Sequence, residues 1–483
     1  MHVRSWRIGR SDRPPVHANE LRVAPIGLLL GSVISALACI APANAETISS
    51  ALARAYVNSP DINQQRAATR ATDENVPKAT SGYRPVITGQ VQGGIQYLGT
   101  NGTGTYGVGP TIQTHTTPGT LSLGVTQNIW NGNRTINSVR QADSLVLNAR
   151  EQLRLNEQAL LANAAAAYMN VLRDTATLDL NNNNVEVLAE QLRLTEGRFK
   201  IGELTRTDVA QAQAALEGGR ASAIVAQATL QASLAAYRQY IGVEAKNLDP
   251  ARPLNRIVPR SVNDALNRAQ SEHPLIQAAL HNVDAVALSV KINEGALMPS
   301  VDAAASVSRA YEQLGIPGMH STTASLTGTL TVPFYDGGVT YASIRQSKEL
   351  LSQARLQADL QRDQVRAQVV SAWGQWEASA RVIQSTQAAV RAAEIALNGV
   401  REEAKVGQRT TIEVLNQQQA LLQSRVNLIS AQRDRVVNSY VLLSSTGQLS
   451  AQSLGLRVTP YDPGIHYDQV KGKWFGTRTP DGR

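Results

Sequence analysis

Four stretches of the chain alternate apolar with small or polar residues at a period of two. Val91, Gly93, Ile95 and Tyr97 alternate with Gln92, Gly94 and Gln96, and Leu121, Leu123 and Val125 alternate with Ser122, Gly124 and Thr126. Val301, Ala303, Ala305 and Val307 form a third set. In the fourth, Leu326, Leu330 and Val332 stand against Ser325, Thr327, Thr329 and Thr331. This period predicts four strands, each with one apolar face and one small polar face. The segments between the paired strands, residues 99–119 and 312–322, are rich in turn formers and read as loops.

The remaining pattern is heptad. Leu178, Val185, Leu192 and Phe199 recur every seven residues, as do Ile383, Val390, Leu397 and Ala404. The seams continue in Val209, Leu216, Ala223, Leu230 and Tyr237, and in Leu415, Leu422, Ile429, Val436 and Leu443. A strict seven-residue seam implies left-handed supercoiling. Two antiparallel coiled-coil hairpins follow, with turns near Lys200 to Arg206 and Lys405 to Thr411. The helix expected from Arg134 to Arg198 would be about 95 Å long, far more than a bilayer is thick.

These elements repeat. Ser59-Pro60-Asp61-Ile62 and Arg84-Pro85-Val86 are followed 214 residues later by His273-Pro274-Leu275-Ile276 and Met298-Pro299-Ser300. At an offset of 205, Ile129-Trp130-Asn131-Gly132 meets Phe334-Tyr335-Asp336-Gly337, and Gly202 with Asp208-Val209 meets Gly407 with Glu413-Val414. Shared order and spacing predict a duplicated unit of helix, two strands and two long helices. The expected organisation is a leader at 1–45, repeat one at 46–250, repeat two at 251–455 and a C-terminal tail at 456–483.

The leader has a basic region with Arg4, Arg7, Arg10, Arg13 and Arg22, an apolar run from Val23 to Ile40, and Ala43-Asn44-Ala45 before Glu46. This pattern predicts a secretory signal cleaved before Glu46. A retained anchor is the competing reading, and Cys39 hints at a lipidation site, although Ala36 stands where such sites usually carry leucine. Past the leader, no apolar run reaches the length of a membrane helix, so an exported chain that spans a membrane must do so with strands. Cys39 is also the only cysteine, so the mature chain can form no disulfide and no thiolate site. The net charge of +8 falls to +5 without the leader, and basic residues alternate with acids along helical faces, which gives no footprint for nucleic acid.

Catalytic chemistry is missing from the pattern. The histidines at 115, 273, 281, 320 and 466 show no ligand spacing, and His273 before Pro274 reads as a helix cap or surface residue. Gly102, Gly104 and Gly107 satisfy a G-x-G-x-x-G spacing without a strand-to-helix context, and read as a flexible loop. Trp373 and Trp376 read as helix packing residues. No enzyme activity and no cofactor are expected.

Taken in order, the proline-ended helices at Asn58-Ser59-Pro60 and Glu272-His273-Pro274 point to a known family. So do the strand entries Tyr83-Arg84-Pro85 and Leu297-Met298-Pro299, and the strand exits Gln127 to Gly132 and Thr331 to Gly338. The tips at Arg198 to Gly202 with Thr207-Asp208-Val209, and at Val406 to Thr410, complete the set. Together they resemble the TolC family of outer-membrane factors over residues 46 to 455. The resemblance implies an α+β membrane protein: a homotrimer whose four strands per chain share one barrel, above a periplasmic tunnel of helices. It implies an exit duct for drugs or for type I protein secretion, working with a periplasmic adaptor and an inner-membrane transporter. It further implies adaptor contact at Gly202 and Gly407, and a gate in which Thr207 and Asp208 meet Arg409. The entrance acids fall at Glu413 and Asn416, so one acid of the family's pair is absent, and Ala404 replaces its latch tyrosine. A soluble periplasmic coiled-coil adaptor remains the alternative, and the cargo stays open.

Overall fold

The computed structural model describes residues 46–104, 107–312 and 318–482, so the leader and Cys39 lie outside the described residues. Two similar units follow each other. Helix α1 (Ile48–Asn58) begins at Thr47, whose side chain accepts from the Ser50 amide, and stops where Ser59-Pro60 starts α2 (Pro60–Asp73). In the second unit α6 (Val262–Glu272) is capped by Ser261 and gives way at His273-Pro274 to α7 (Pro274–Gly295). Proline suits the first turn of a helix and cannot continue the one before it. His273 is 3% exposed, and its Nδ1 accepts the Leu275 amide, so it is a buried cap and not a surface residue. Burial holds its imidazole down at about 4, the neutral form that such an acceptor requires.

The units differ in their second helix. α7 is continuous, whereas the first unit breaks after Asp73 into α3 (Asn75–Thr80) and a 3₁₀ turn, Ser81–Tyr83. Pro77 lies in α3, and without an amide hydrogen it cannot bond the carbonyl four residues back, at Asp73. Helices α6 and α7, Val262–Gly295, hold an 18-residue window with the composition of a membrane helix, at a mean hydropathy of 1.2, a run absent from the sequence expectations. This stretch is interrupted at Pro274, and its α7 part lies along α4 (Arg134–Lys200). Gln141 and Asn148 of α4 donate to the α7 carbonyls of Ala285 and Ala278, contacts of a packed helix and not of one in lipid.

Strand β1 (Val86–Gly93) pairs with β4 (Gly119–Trp130), β4 with β5 (Ser300–Tyr311), and β5 with β6 (His320–Thr331), all antiparallel. The four predicted strands thus form one sheet in the order β1-β4-β5-β6. The register aligns the apolar positions: Val91 faces Leu121, Leu123 faces Val307, and Ala305 faces Leu326. The other side carries Thr88, Gly124, Ser306 and Ser325 in one row. The apolar side is bare, with Val91 and Leu326 each 82% exposed.

Two loop readings are corrected. Residues 99–119 are not a loop: β2 (Gln96–Gly104) and β3 (Gly107–Thr116) pair as a separate hairpin, so Tyr97 belongs to β2 and the three spaced glycines lie in its far end. Threonine at 100, 103, 111, 114 and 116 carries β propensity that the glycines masked. In the second unit β6 already starts at His320, which leaves only residues 312–319 as the connection.

Helices α4 and α8 (Val339–Lys405) each have 67 residues, about 100 Å at 1.5 Å per residue. They start alike. Asn131 accepts the Thr135 amide and Asp336 the Thr340 amide, each carboxamide or carboxylate bonding four residues on. α5 (Arg206–Ile241) returns along α4, and α9 (Thr411–Ser445) along α8. The largest core joins both units around the full burial of Leu52, Leu161, Tyr168, Tyr237 and Leu443. Trp376 is buried beneath Arg435, whose guanidinium lies 3.2 Å from the ring centroid, which makes it a packing residue as read.

Among the described glycines, the tightest approach joins β4's exit to the end of α7. A Cβ on Gly295 would lie 2.5 Å from the Gly132 carbonyl oxygen, whereas a Cβ on Gly374 in α8 would meet nothing within 4 Å. Gly295→Ala is expected to cost about 1–3 kcal/mol by overpacking. Gly374→Ala should be neutral or stabilise by roughly 0.5–1 kcal/mol. Thermal unfolding of the two detergent-solubilised variants checks the contrast.

Candidate functional site

The two hairpin tips are built identically from different residues. Helix α4 ends with Gly202 at φ +80°, the Gly202 amide bonding the Phe199 carbonyl and the Glu203 amide that of Arg198. Helix α8 ends with Gly407 at φ +79°, its amide bonding Ala404 and that of Gln408 bonding Glu403. This paired pattern closes a helix through a left-handed residue, a conformation that favours glycine.

The return helices open with capping boxes. Asp208 Oδ2 accepts from the Thr205 amide at 2.9 Å and its hydroxyl at 2.7 Å, while the Asp208 amide donates back to Thr205. Glu413 does the same for Thr410, at 2.8 and 3.0 Å. Thr410 was named among the tip residues and Thr205 was not, and the capping role of neither was foreseen, although T-x-x-D and T-x-x-E before an apolar run are the signature of such a start.

Arg409 lies between two acids, Glu403 at 2.7 Å and Glu413 at 3.1 Å. The Asp208–Arg409 pair is not formed within the chain: Asp208 serves its own helix start, and Arg409 serves its own hairpin. Thr207 and Asn416 are exposed beside them, and Phe199, expected in the heptad seam, is 42% exposed at the helix end. Hydrogen bonds from the Thr205 hydroxyl and amide hold Asp208 below the usual carboxylate range. The Thr410 amide, then Arg409, do so for Glu413, and Glu403, then Glu413, push Arg409 up.

Higher on the hairpins the seam packs as the heptads require. Leu188, Leu216 and Leu415 form one cluster with Val185 and Leu192, and Leu397, Val414 and Leu421 another with Val390 and Ala404. The first cluster joins the two hairpins, with α9 set against α4, where Gln418 also reaches Asn184 at 3.4 Å. Between the tips lies a groove of about 870 Å³, whose lining includes Leu194, Leu204, Val414, Arg401, Glu186 and Glu190. Among the described residues no group of His, Cys, Asp or Glu is gathered to hold a metal.

A bare apolar sheet of four strands, continued at one end into helices of about 100 Å that turn back as hairpins, fits a barrel-and-tunnel channel. A family model for outer membrane efflux proteins matches residues 51–243 and 265–448, and the chain belongs to that family. It is 40% identical over 464 residues to the outer membrane efflux protein BepC of Brucella suis, covering 95% of this chain and 97% of that one. Against the outer membrane protein TolC of Escherichia coli it is 24% identical, covering 88% and 87%. In fold it matches the Campylobacter jejuni CmeC outer membrane channel with a TM-score of 0.74, at 14% identity over 88% of this chain and 89% of that one. The CusC structure gives 0.70 at 18% identity over 83% and 91%. This protein is therefore an outer-membrane channel of the TolC type, with strands in the membrane and helices on the periplasmic side.

The capping carboxylates set a pH dependence at the tips. Both have folded-state values lower than in the unfolded chain, so their contribution is full above the ordinary carboxylate range and is lost as pH falls through the depressed values. Hydrogen exchange at residues 205–210 and 410–415 should speed up on acidification, relative to the helix middles after correction for intrinsic rates. Asp208→Asn and Glu413→Gln should flatten that dependence.

Proposed function

We propose that three copies of this chain form a single duct that carries small toxic compounds out of the cell, joined at the hairpin tips by a periplasmic adaptor and an inner-membrane transporter. The observation that carries the reading is the sheet itself. Its apolar face is exposed along all four strands, and β1 and β6 have no partner on their outer edges among the described strands. In a bilayer such edges must be paired, and closed barrels are the only β solution. Two copies would give about eight strands, a number whose interior side chains fill; about twelve leave an aqueous bore. The small inner face of Thr88, Gly124, Ser306 and Ser325 suits that bore. Efflux is favoured over protein secretion because the similarity to BepC spans nearly the whole chain, while that to the alkaline protease secretion protein AprF of Pseudomonas aeruginosa covers 61% of it.

The tips are the gate and the adaptor seat in this reading. Asp208 and Thr207 of one hairpin approach Arg409 of a hairpin in the neighbouring copy, and Arg409 exchanges between that contact and its own Glu403 and Glu413. The groove between the tips, apolar at Leu194 and Leu204 and charged at its rim, offers the adaptor a place to insert. Opening the gate then requires only the exchange of exposed, individually weak ion pairs.

Mass measurement of the detergent-extracted protein should give three chains, and cells lacking it should accumulate a fluorescent efflux dye. A monomer extracted without detergent would return the reading to a soluble adaptor. Leu123→Arg should cost about 2–4 kcal/mol near the bilayer midplane and deplete assembled trimer, with Leu330→Arg, level with Trp130 at the strand end, costing less and Thr126→Arg or Thr329→Arg milder. In planar bilayers Asp208→Ala or Arg409→Ser should raise single-channel conductance, and Glu413→Gln should lower cation preference. Unchanged conductance and selectivity in all three would remove the gate from the tips.

A further inference from the structure

The C-terminal tail is held against the first unit at several points of its course. The Tyr461 amide donates to the Tyr56 hydroxyl at 3.0 Å, and Arg66 lies 5.0 Å from the centroid of the Tyr461 ring. Helix α10 (Pro463–Val470) follows, where His466 Nδ1 and Asp73 Oδ2 are 2.9 Å apart and Tyr467 donates to Asp143 at 2.9 Å. Further on, Arg84 Nη1 donates to the Lys473 carbonyl at 2.7 Å, and its guanidinium lies 4.6 Å from the Trp474 ring centroid. The partners ascend in order, Tyr56, Asp73, Arg84, so the tail runs parallel to α2 and α3 toward the sheet.

It reaches the base of that sheet at Trp474, before Pro480 and Asp481 turn back to line a groove with Tyr56, Arg66 and Arg70. Arg84 is two residues before β1, and the Tyr83 carbonyl accepts from Gln127 of β4 at 3.0 Å. At the same end β4 finishes in Trp130, and the chain leaving β6 carries Phe334 and Tyr335, 90% and 80% exposed. Here the tail presents Trp474 at 65% exposure and Phe475 at 90%, neither used by any core. Residues 471–478, Lys-Gly-Lys-Trp-Phe-Gly-Thr-Arg, hold three basic residues and no acid, although Lys471 pairs with Asp468 just before them. Nothing in the fold requires two large aromatic side chains to be held in water by a cation that stacks on one of them. Tryptophan beside basic residues at the edge of a lipid-facing surface suits the headgroup layer, where an amphipathic ring finds both an apolar and a wet neighbour.

We infer that Trp474 and Phe475, pinned to Arg84 at the barrel base, insert into the periplasm-facing headgroup layer of the outer membrane, with Lys473 and Arg478 against its phosphates. The tail thereby anchors the helical part to the bilayer from outside the barrel and fixes the depth at which the barrel sits. This inference rests on the channel reading, and the test separates the two. The protein is reconstituted into phosphatidylethanolamine and phosphatidylglycerol vesicles, with and without lipid brominated near the headgroup. Quenching is compared among wild type, Trp130→Phe and Trp474→Phe, with Trp373 and Trp376 as interior background.

The expected result is a loss of emission in brominated vesicles that is smaller in each variant than in wild type. Emission of Trp130 quenched while that of Trp474 is not would overturn the inference and leave the channel standing; a neighbouring copy or a partner protein would then cover the tail. Quenching of neither would overturn the channel reading itself. A second measurement avoids Trp474: because the mature chain has no cysteine, Phe475→Cys takes a single spin label. Its relaxation should respond more to oxygen than to a water-soluble nickel chelate, and the reverse order would also overturn the inference.

Discussion

Everything in this molecule is subordinate to the backbone hydrogen bonds that one chain cannot make. In water an edge strand is solvated at little cost, but in hydrocarbon each unpaired amide or carbonyl costs several kcal/mol. The sheet β1-β4-β5-β6 has two such edges and an apolar face formed by Val91, Leu121, Leu123, Val307 and Leu326. In the proposed assembly these edges are satisfied when β1 of one copy meets β6 of the next. Each unit supplies two strands of this sheet, and the proposed closure among copies would turn the open sheet into a wall without edges.

Below the sheet the same logic appears in helical form. Each unit projects a hairpin whose long helix starts from a side-chain cap, Asn131 or Asp336, and turns back through Gly202 or Gly407. Caps and turns are closed inside each hairpin, Asp208 bonding Thr205 and Glu413 bonding Thr410. The units diverge where their neighbours differ. In the first, Pro77 breaks the helix that α7 keeps whole, and that broken edge is the one along which the C-terminal tail climbs.

Long-range regularity was legible in the sequence because duplication and the heptad repeat accumulate over many residues. The strand alternation, the helix lengths, the tip glycines and the pairing of Asn131 with Asp336 all follow from aligned positions. The hairpin of β2 and β3 was not legible, because glycine at 102, 104 and 107 signals a turn more strongly than scattered threonines signal a strand. The partners of Asp208 and Arg409 were hidden for another reason. Each has a partner on its own hairpin, Thr205 for one and Glu403 with Glu413 for the other, and heptad spacing does not signal these local bonds. The tail's course was hidden altogether, since His466 and Asp73 are 393 residues apart and share no repeat.

Closure between copies can be tested on the edges themselves. Gln90→Cys on β1 can be combined in turn with Thr323→Cys, Ser325→Cys or Thr327→Cys on β6, all on the inner face. Within one chain these positions are three strand spacings apart, about 14 Å, too far for a disulfide, whose Cα atoms lie within about 7 Å. Oxidation of membranes should link chains into a ladder that ends at three for the pair in register. Folded, membrane-inserted protein that stays monomeric after oxidation of every pair would contradict the account.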